Sequence, residues 1–255
     1  MTTDNHNHLK NMLQSVTPNT VFLSHWLEQK GISRDLQQYY KKSAWISTIG
    51  AGAFARPQDK LEWYGGVYAI QHQATLPAPP GGLTALSLQA FAHYLRVGGE
   101  KVYIFTDTTT RLPKWFLQYD WRQTLDVYST RFLPSKLSLV EYQTNGFKIY
   151  ISSPERAILE CLYLTPEKMD MVECYHLMEG LLNLRPTEVQ TLLEHCNSVK
   201  VKRLFLYMAD KAGHAWLKYI DKTKINLGSG DRSLIKDGIY IKNYGIVVPK
   251  ELADL

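Results

Sequence analysis

Residues 24–56 constrain the fold more tightly than any other stretch of the chain. Ser24 can cap a short helix over 25–30, Gly31 then supplies a left-handed turn, and Ser33 can cap a further helix from Arg34 to about Ser43. Trp45-Ile46-Ser47-Thr48-Ile49 is rich in β-branched and aromatic residues and predicts a strand. Gly50-Ala51-Gly52 turns the chain, Ala53-Phe54-Ala55-Arg56 returns it, and Pro57 closes the hairpin. Upstream, Leu9, Met12, Leu13 and Val16 recur at i, i+3, i+4 and i+7, an amphipathic helix that Thr17-Pro18-Asn19 breaks. Two short helices about a tight turn, followed by a hairpin, are the plan of a winged helix-turn-helix. Its second helix enters the major groove of duplex DNA.

The side chains suit that task. Arg34, Gln37, Gln38 and Lys41 share one helical face by spacing, while Ile32, Leu36 and Tyr40 can face a core. Arginine grips guanine O6 and N7 with two bonds, and glutamine does the same for adenine N6 and N7. Lys41 and Lys42 suit phosphates, and Ser24 and Ser33 sit where helix N-termini favour phosphate oxygens. The small wing residues around Gly52 let backbone approach the sugar-phosphate chain, and Arg56 can reach a phosphate or the minor groove. From Lys30 to Arg56 the bases Lys30, Arg34, Lys41, Lys42 and Arg56 face Asp35 alone. The same arrangement also serves protein-binding modules, so a repurposed winged helix is the alternative reading.

Composition sets the outer limits. At 255 residues, 45% of them hydrophobic, the chain can form one large domain or two to three small ones. The net charge of +5 permits an acidic partner without demanding one. Cys161, Cys174 and Cys196 match no zinc or Cys-x-x-Cys spacing, and their sparse use predicts a reducing cytosol. The opening residues 1–8 are polar, and no apolar run nears the roughly 18–20 residues of a membrane helix. The expectation is a cytoplasmic protein without a membrane partner.

Along the rest of the chain, residues 61–73 predict a helix that Gly65-Gly66 weakens. Residues 76–82 are rich in Pro and Gly and predict a linker, giving a winged helix-turn-helix domain over 1–75 and a larger domain over 83–255. In the latter, 83–95 predicts a helix with Leu83, Leu86, Leu88 and Phe91 on its apolar face. Strands are predicted over 102–105, 124–132, 137–142 and 147–151, with Asn145-Gly146 as a hairpin turn. Ser153-Pro154-Glu155 starts a helix, helices follow to about 219, and short strands close the chain over 225–248. The fold class is α+β, a winged helix-turn-helix followed by a larger mixed α+β domain.

Other chemistry finds little support. Gly81-Gly82-Leu83-Thr84 and Gly228-Ser229-Gly230-Asp231 lack the spacing and lysine of a nucleotide-binding P-loop and read as turns. Cys174 with His176, and His195 with Cys196, point too far apart on a helix to share a metal. No catalytic residue, metal or cofactor is expected; an enzyme acting on a partner or a nucleotide ranks below the two binding readings. Lys200, Lys202, Arg203, Lys211, Lys218, Lys222 and Lys224 form a basic stretch. It reads either as a solvated helix packed on the core or as a second patch for DNA backbone or an acidic surface.

The run WLEQKGISRDLQQYYKKSAWISTIGAGAFARP from residue 26 resembles the N-terminal winged helix of the AbiEi family of antitoxins and transcriptional regulators of type IV toxin–antitoxin, or abortive infection, systems. The likeness continues, in order, through GGLTALSLQAFAHYL from 81, SPERAILECL from 153, VKRLFLYMADKAGHAWL from 201 and INLGSGDRSLIKDGIYIKNYGIVVP from 225. The resemblance implies a repressor that binds inverted repeats at its own promoter and counters a nucleotidyltransferase-like toxin encoded beside it. It maps the groove-reading face onto Ser33, Arg34, Gln37, Gln38 and Lys41 and the wing onto 52–56. It assigns the antitoxin function to the region from about residue 83.

Overall fold

The computed structural model describes residues 16–91, 101–144 and 146–255. The amphipathic helix predicted over 9–16 lies outside them except for Val16, as do Asn145 of the predicted hairpin turn and the later part of the helix predicted over 83–95.

The front of the chain is a helix-turn-helix with a three-stranded sheet. Strand β1 (Phe22–Leu23) leads into α1 (Ser24–Gln29), Gly31 turns the chain at φ +84°, and α2 (Arg34–Lys42) follows. Strands β2 (Ser47–Gly50) and β3 (Ala53–Ala55) form the short wing, and the sheet order is β1-β3-β2, antiparallel throughout. Val16, Phe22, Leu27, Ile32, Tyr40, Ile46 and Phe54 make its core. These are the apolar positions that the helical and strand spacings turn inward.

The helix predicted over 61–73 is α3 (Trp63–Tyr68), continued by a π-helical turn over Ala69–Gln73. Its paired glycines are there for contact. A Cβ on Gly65 would stand 2.2 Å from the Asn19 carbonyl oxygen, and one on Gly66 2.6 Å from the Trp121 ring. Close approach outweighs the cost of glycine in a helix, about 1 kcal/mol each.

Residues 76–82 are not an exposed linker. Ala78, Pro79, Pro80, Gly81 and Gly82 are buried, and Pro80 forms an isolated antiparallel bridge to Ile104. The Phe105 N–H donates to the Pro79 carbonyl and the Gly81 N–H to the Tyr103 carbonyl, joining β4 (Lys101–Thr106). On the other side the Ser152 N–H donates to the Pro80 carbonyl, joining β7 (Lys148–Ser152). Proline lacks an N–H but keeps its carbonyl, so it can serve such a ladder as acceptor alone. With β5 (Thr124–Ser129) parallel to β4 and β6 (Leu139–Gln143) antiparallel to β7, the segment 79–81 thus stands between two two-stranded sheets, β5-β4 and β7-β6. The predicted strands are all present, with β5 ending at Ser129 where 124–132 was expected.

Helices α4 (Gly82–Leu88) and α6 (Pro154–Leu164) pack on β4 and β7. Ser153 caps α6 by accepting from the Arg156 N–H at 3.3 Å, with Pro154 as its first residue. The short α5 (Lys114–Gln118) lies beside β2. Helices α7 (Met171–Gly180), α8 (Pro186–His195) and α9 (Val199–Lys211) follow, then two 3₁₀ turns, Ala215–Tyr219 and Lys222–Lys224. A small sheet of β8 (Arg232–Ser233), β10 (Ile246–Val248) and β9 (Ile239–Ile241), in that spatial order, and α10 (Lys250–Asp254) close the chain. One core runs from Leu23, Ala53 and Trp63 through Phe105 and Ile151 to Leu204 and Leu252.

The basic stretch on α9 fits neither sequence reading in full, because its cations are largely turned inward. Lys202 and Arg203 are buried. Arg203 donates to the carbonyls of Leu227 (2.9 Å), Gly228 (3.2 Å), Gly230 (2.7 Å) and Gly245 (2.9 Å), tying the glycine-rich 227–230 loop and the β9–β10 turn to the helix. The Lys200 ammonium serves the Tyr163 carbonyl at 2.7 Å, and Lys211 the Ala253 carbonyl at 3.1 Å. Lys218, Lys222 and Lys224 remain exposed. Gly228 and Gly230 take φ of +65° and +70°, and Asp231 accepts from the Tyr240 hydroxyl at 2.7 Å. That run is therefore a turn held from both sides. Among the described residues no helix is long and apolar enough to cross a membrane, and no three His, Cys, Asp or Glu side chains gather as metal ligands.

Candidate nucleic-acid interface

Helix α2 carries the candidate reading surface. Ser33 caps it, its hydroxyl accepting from the Leu36 N–H at 3.3 Å. Asp35 lies in the first turn and Lys41 and Lys42 in the last, matching the helix dipole at both ends. Ile32 and Tyr40 are buried, while Arg34, Gln38, Tyr39, Lys41 and Lys42 are exposed.

Gln37 does not belong to that exposed face. It is only 2% exposed. Its Oε1 accepts from the Ser24 hydroxyl at 2.6 Å, and its amide donates to the Ser24 carbonyl at 3.1 Å and the Ile32 carbonyl at 3.0 Å. Leu36, Gln37 and Tyr40, at i, i+1 and i+4, form the inward arc of α2, so Gln37 locks α2 against α1. A glutamine's polarity does not reveal whether its partners are bases or backbone, and here they are backbone and a serine.

Ser24 is corrected with it. Its hydroxyl is engaged by Gln37, and no side-chain bond caps α1, whose cap position is Leu23. The Ser24 N–H donates to the Gly52 carbonyl at 2.8 Å, so this donor is directed at the wing rather than at a phosphate. Gly52 stands exposed at the wing tip with φ +71°, and its backbone is thereby tied to the start of α1.

Arg56 does not extend from the wing. It follows β3 at the open end of the hairpin, away from the tip, and is half-buried. Its guanidinium donates to the Val16 carbonyl and lies near Asp59. Sequence spacing placed it on the hairpin without showing which end faced outward.

Arg34 is exposed but partnered. Its Nε donates to Glu28 Oε1 at 2.7 Å, and that bond and charge hold the guanidinium further above its usual range. Two features escaped the sequence reading. Tyr39 is 52% exposed beside Lys42 and Gln38, an aromatic on a polar face that inspection for charge passes over. The wing is also seated on the larger region. A Cβ on Gly50 would stand 2.6 Å from Trp115 Cβ, so β2 lies flat against α5, where Lys114 is exposed.

A short-winged helix-turn-helix with a capped, exposed, basic second helix, seated on a larger α+β body, makes this a winged-helix protein. A family model described as "Transcriptional regulator, AbiEi antitoxin N-terminal domain" matches residues 5–97, and one described as "Transcriptional regulator, AbiEi antitoxin, Type IV TA system" matches 99–249. The chain belongs to the AbiEi antitoxin family of transcriptional regulators of type IV toxin–antitoxin systems. The two models divide the chain near residue 98, beyond the 76–82 segment. Among solved structures, the RV2827C protein from Mycobacterium tuberculosis shares the fold, with a TM-score of 0.58, 14% identity, and coverage of 90% of this chain and 86% of that one. No curated protein sequence matches the chain.

Proposed function

We propose that this protein represses its own operon by reading promoter inverted repeats with α2, and that it counters a nucleotidyltransferase-like toxin encoded beside it. The observation that carries the reading is the exposed face of α2. Arg34 and Gln38 are exposed on it with side chains suited to base edges, and Lys41 and Lys42 follow one turn on with side chains suited to phosphates. Ser33 and the wing tip at Gly52 flank that face. Gln37 and Ser24 fix its angle from behind, a rigid support that base readout needs. The toxin partner follows from family membership and from no residue-level site in this chain.

The test is fluorescence anisotropy of the full chain on a duplex from its own promoter and on a random duplex of equal length. The expected result is tighter binding to the promoter, with an affinity that falls steeply as salt rises. Equal affinity for both duplexes would overturn the repressor reading. Co-expression with the neighbouring toxin gene tests the second part, where unrelieved growth arrest would overturn it.

A further inference from the structure

A cavity of about 450 Å³ opens between the winged-helix side of the chain and the β6–β7 hairpin. Asn19, Lys60, Glu62 and Tyr64 line it from one side, Tyr142 and Phe147 from the other. Tyr64 and Tyr142 both line it and stand nearly parallel, at an interplanar angle of 18° with ring centroids 6.4 Å apart. A flat ring stacked on both faces needs about 7 Å, two contacts of roughly 3.5 Å. The centroid distance includes any lateral offset, so the two rings would part to admit one. Trp63 stacks on Tyr64 at 3.8 Å, which restrains that ring.

The polar groups at the same cavity are of two signs. The Lys60 and Glu62 side chains form no ion pair or hydrogen bond among the described residues. Asn19 Oδ1 accepts from the Lys60 N–H at 3.1 Å, which leaves the Asn19 amide NH₂ as a donor. Burial, with Tyr142 and Glu62 nearby, pushes the Tyr64 phenol up to about 12, so it stays a neutral stacking surface across the working pH range. A flat ring, an anion for Lys60 and hydroxyls for Glu62 together describe a nucleotide, since carboxylates commonly hold ribose hydroxyls. The volume fits a ligand of that size better than a lone ring.

We propose that this cleft binds a purine nucleotide, with the base between Tyr64 and Tyr142, the phosphate on Lys60 and the ribose on Glu62. Because its walls come from both sides of the chain, an occupant would bridge the segments flanking the winged helix, at Asn19 and 60–65, and the β6–β7 hairpin.

The experiment is isothermal titration of the full chain with AMP and with GMP, with adenosine as a part-ligand and a short single-stranded purine oligonucleotide as competitor. AMP or GMP is expected to bind one-to-one. Tyr142→Ala should weaken it about tenfold or more, and Tyr142→Phe, which keeps the ring, should leave it nearly unchanged. Lys60→Ala should weaken AMP while leaving adenosine alone. Competition by the oligonucleotide would identify a strand as the source of the base, and its failure to compete would identify the free nucleotide. No binding of either nucleotide or of the oligonucleotide at millimolar concentration overturns the proposal. So does AMP binding that is indifferent to both Tyr142→Ala and Lys60→Ala in folded protein.

Discussion

The Ser24 hydroxyl donates to Gln37 Oε1 at 2.6 Å, and Gln37 returns its amide to the Ser24 carbonyl at 3.1 Å. This reciprocal pair fastens the two helices of the helix-turn-helix to each other. It also separates two neighbouring glutamines into different roles. Gln37→Ala leaves the Ser24 and Ile32 groups without their partner and should destabilise the fold by about 1–3 kcal/mol in urea denaturation. Base preference on operator variants should stay as it is. Gln38→Ala should do the reverse, keeping stability and relaxing selectivity at one base pair by about 1–3 kcal/mol. Lost selectivity without lost stability in the Gln37 variant would return that residue to the reading face.

Lys41 and Lys42 should act on phosphates. Replacing either with Ala is expected to weaken promoter and random duplex alike and to reduce the slope of log K against log salt by about 0.9. A change confined to the promoter duplex would show that the lysine reads a base.

The Arg34–Glu28 contact is exposed on both sides, so its loss should leave the fold as stable as before. Glu28→Gln releases the guanidinium and removes a negative charge from the DNA-facing side. Binding to duplex should tighten. Weaker binding would mean that Glu28 positions Arg34 for its contact instead of holding it back.

A second buried network ties α6 to the start of α4. Glu160 accepts from the Arg156 guanidinium at 2.7 Å, the Ser152 hydroxyl at 3.0 Å and the Gly82 N–H at 2.8 Å. Arg156 also donates to the Pro134 and Leu137 carbonyls, each at 2.7 Å. Arg156→Met strands a buried carboxylate and should cost about 3–5 kcal/mol in chemical denaturation. Adding Glu160→Gln should recover part of that loss, because the uncompensated charge is gone. An additive double variant would show that the two side chains do not couple.

Glu155 gives the acid limb of stability a defined contributor. Burial alone would raise its carboxyl, but bonds from the Arg185 side chain and N–H, at 3.0–3.1 Å, outweigh that and hold it below the usual carboxylate range. A depressed folded value means that the contribution is complete above the unfolded value. It disappears as pH falls through the folded one, below about pH 5. Arg185→Ala should therefore lower stability near neutrality and flatten its decline toward acid. An acid limb identical to that of the native chain would remove Glu155 from the account.

The helix-turn-helix was legible because its signals are local. Gly31 and Ser33 mark the turn and the cap, and the apolar spacing of Ile32, Leu36 and Tyr40 marks the inward side. The site was legible only as far as local signals reach. Arg34, Gln38, Lys41 and Lys42 are exposed as their spacing predicts, whereas Gln37, Ser24 and Arg56 are engaged by Ser24, Gly52 and Val16, partners that helical spacing does not reveal. The same limit hid the Arg203 clamp, whose acceptors lie 24–42 residues away. It also hid the true place of residues 76–82, since a Pro/Gly-rich run reads alike whether it is solvated or threaded between strands.

The segment over 79–81 bears on how such a regulator can be rearranged. It sits on the N-terminal side of the division near residue 98, yet its hydrogen bonds run to β4 and β7 beyond it. A cut at that division would leave the rear piece without the segment that hydrogen-bonds to both β4 and β7. Swapping the winged helix for another reader would have to preserve these bonds, so a working chimaera would join ahead of residue 76 and carry 76–82 with the rear.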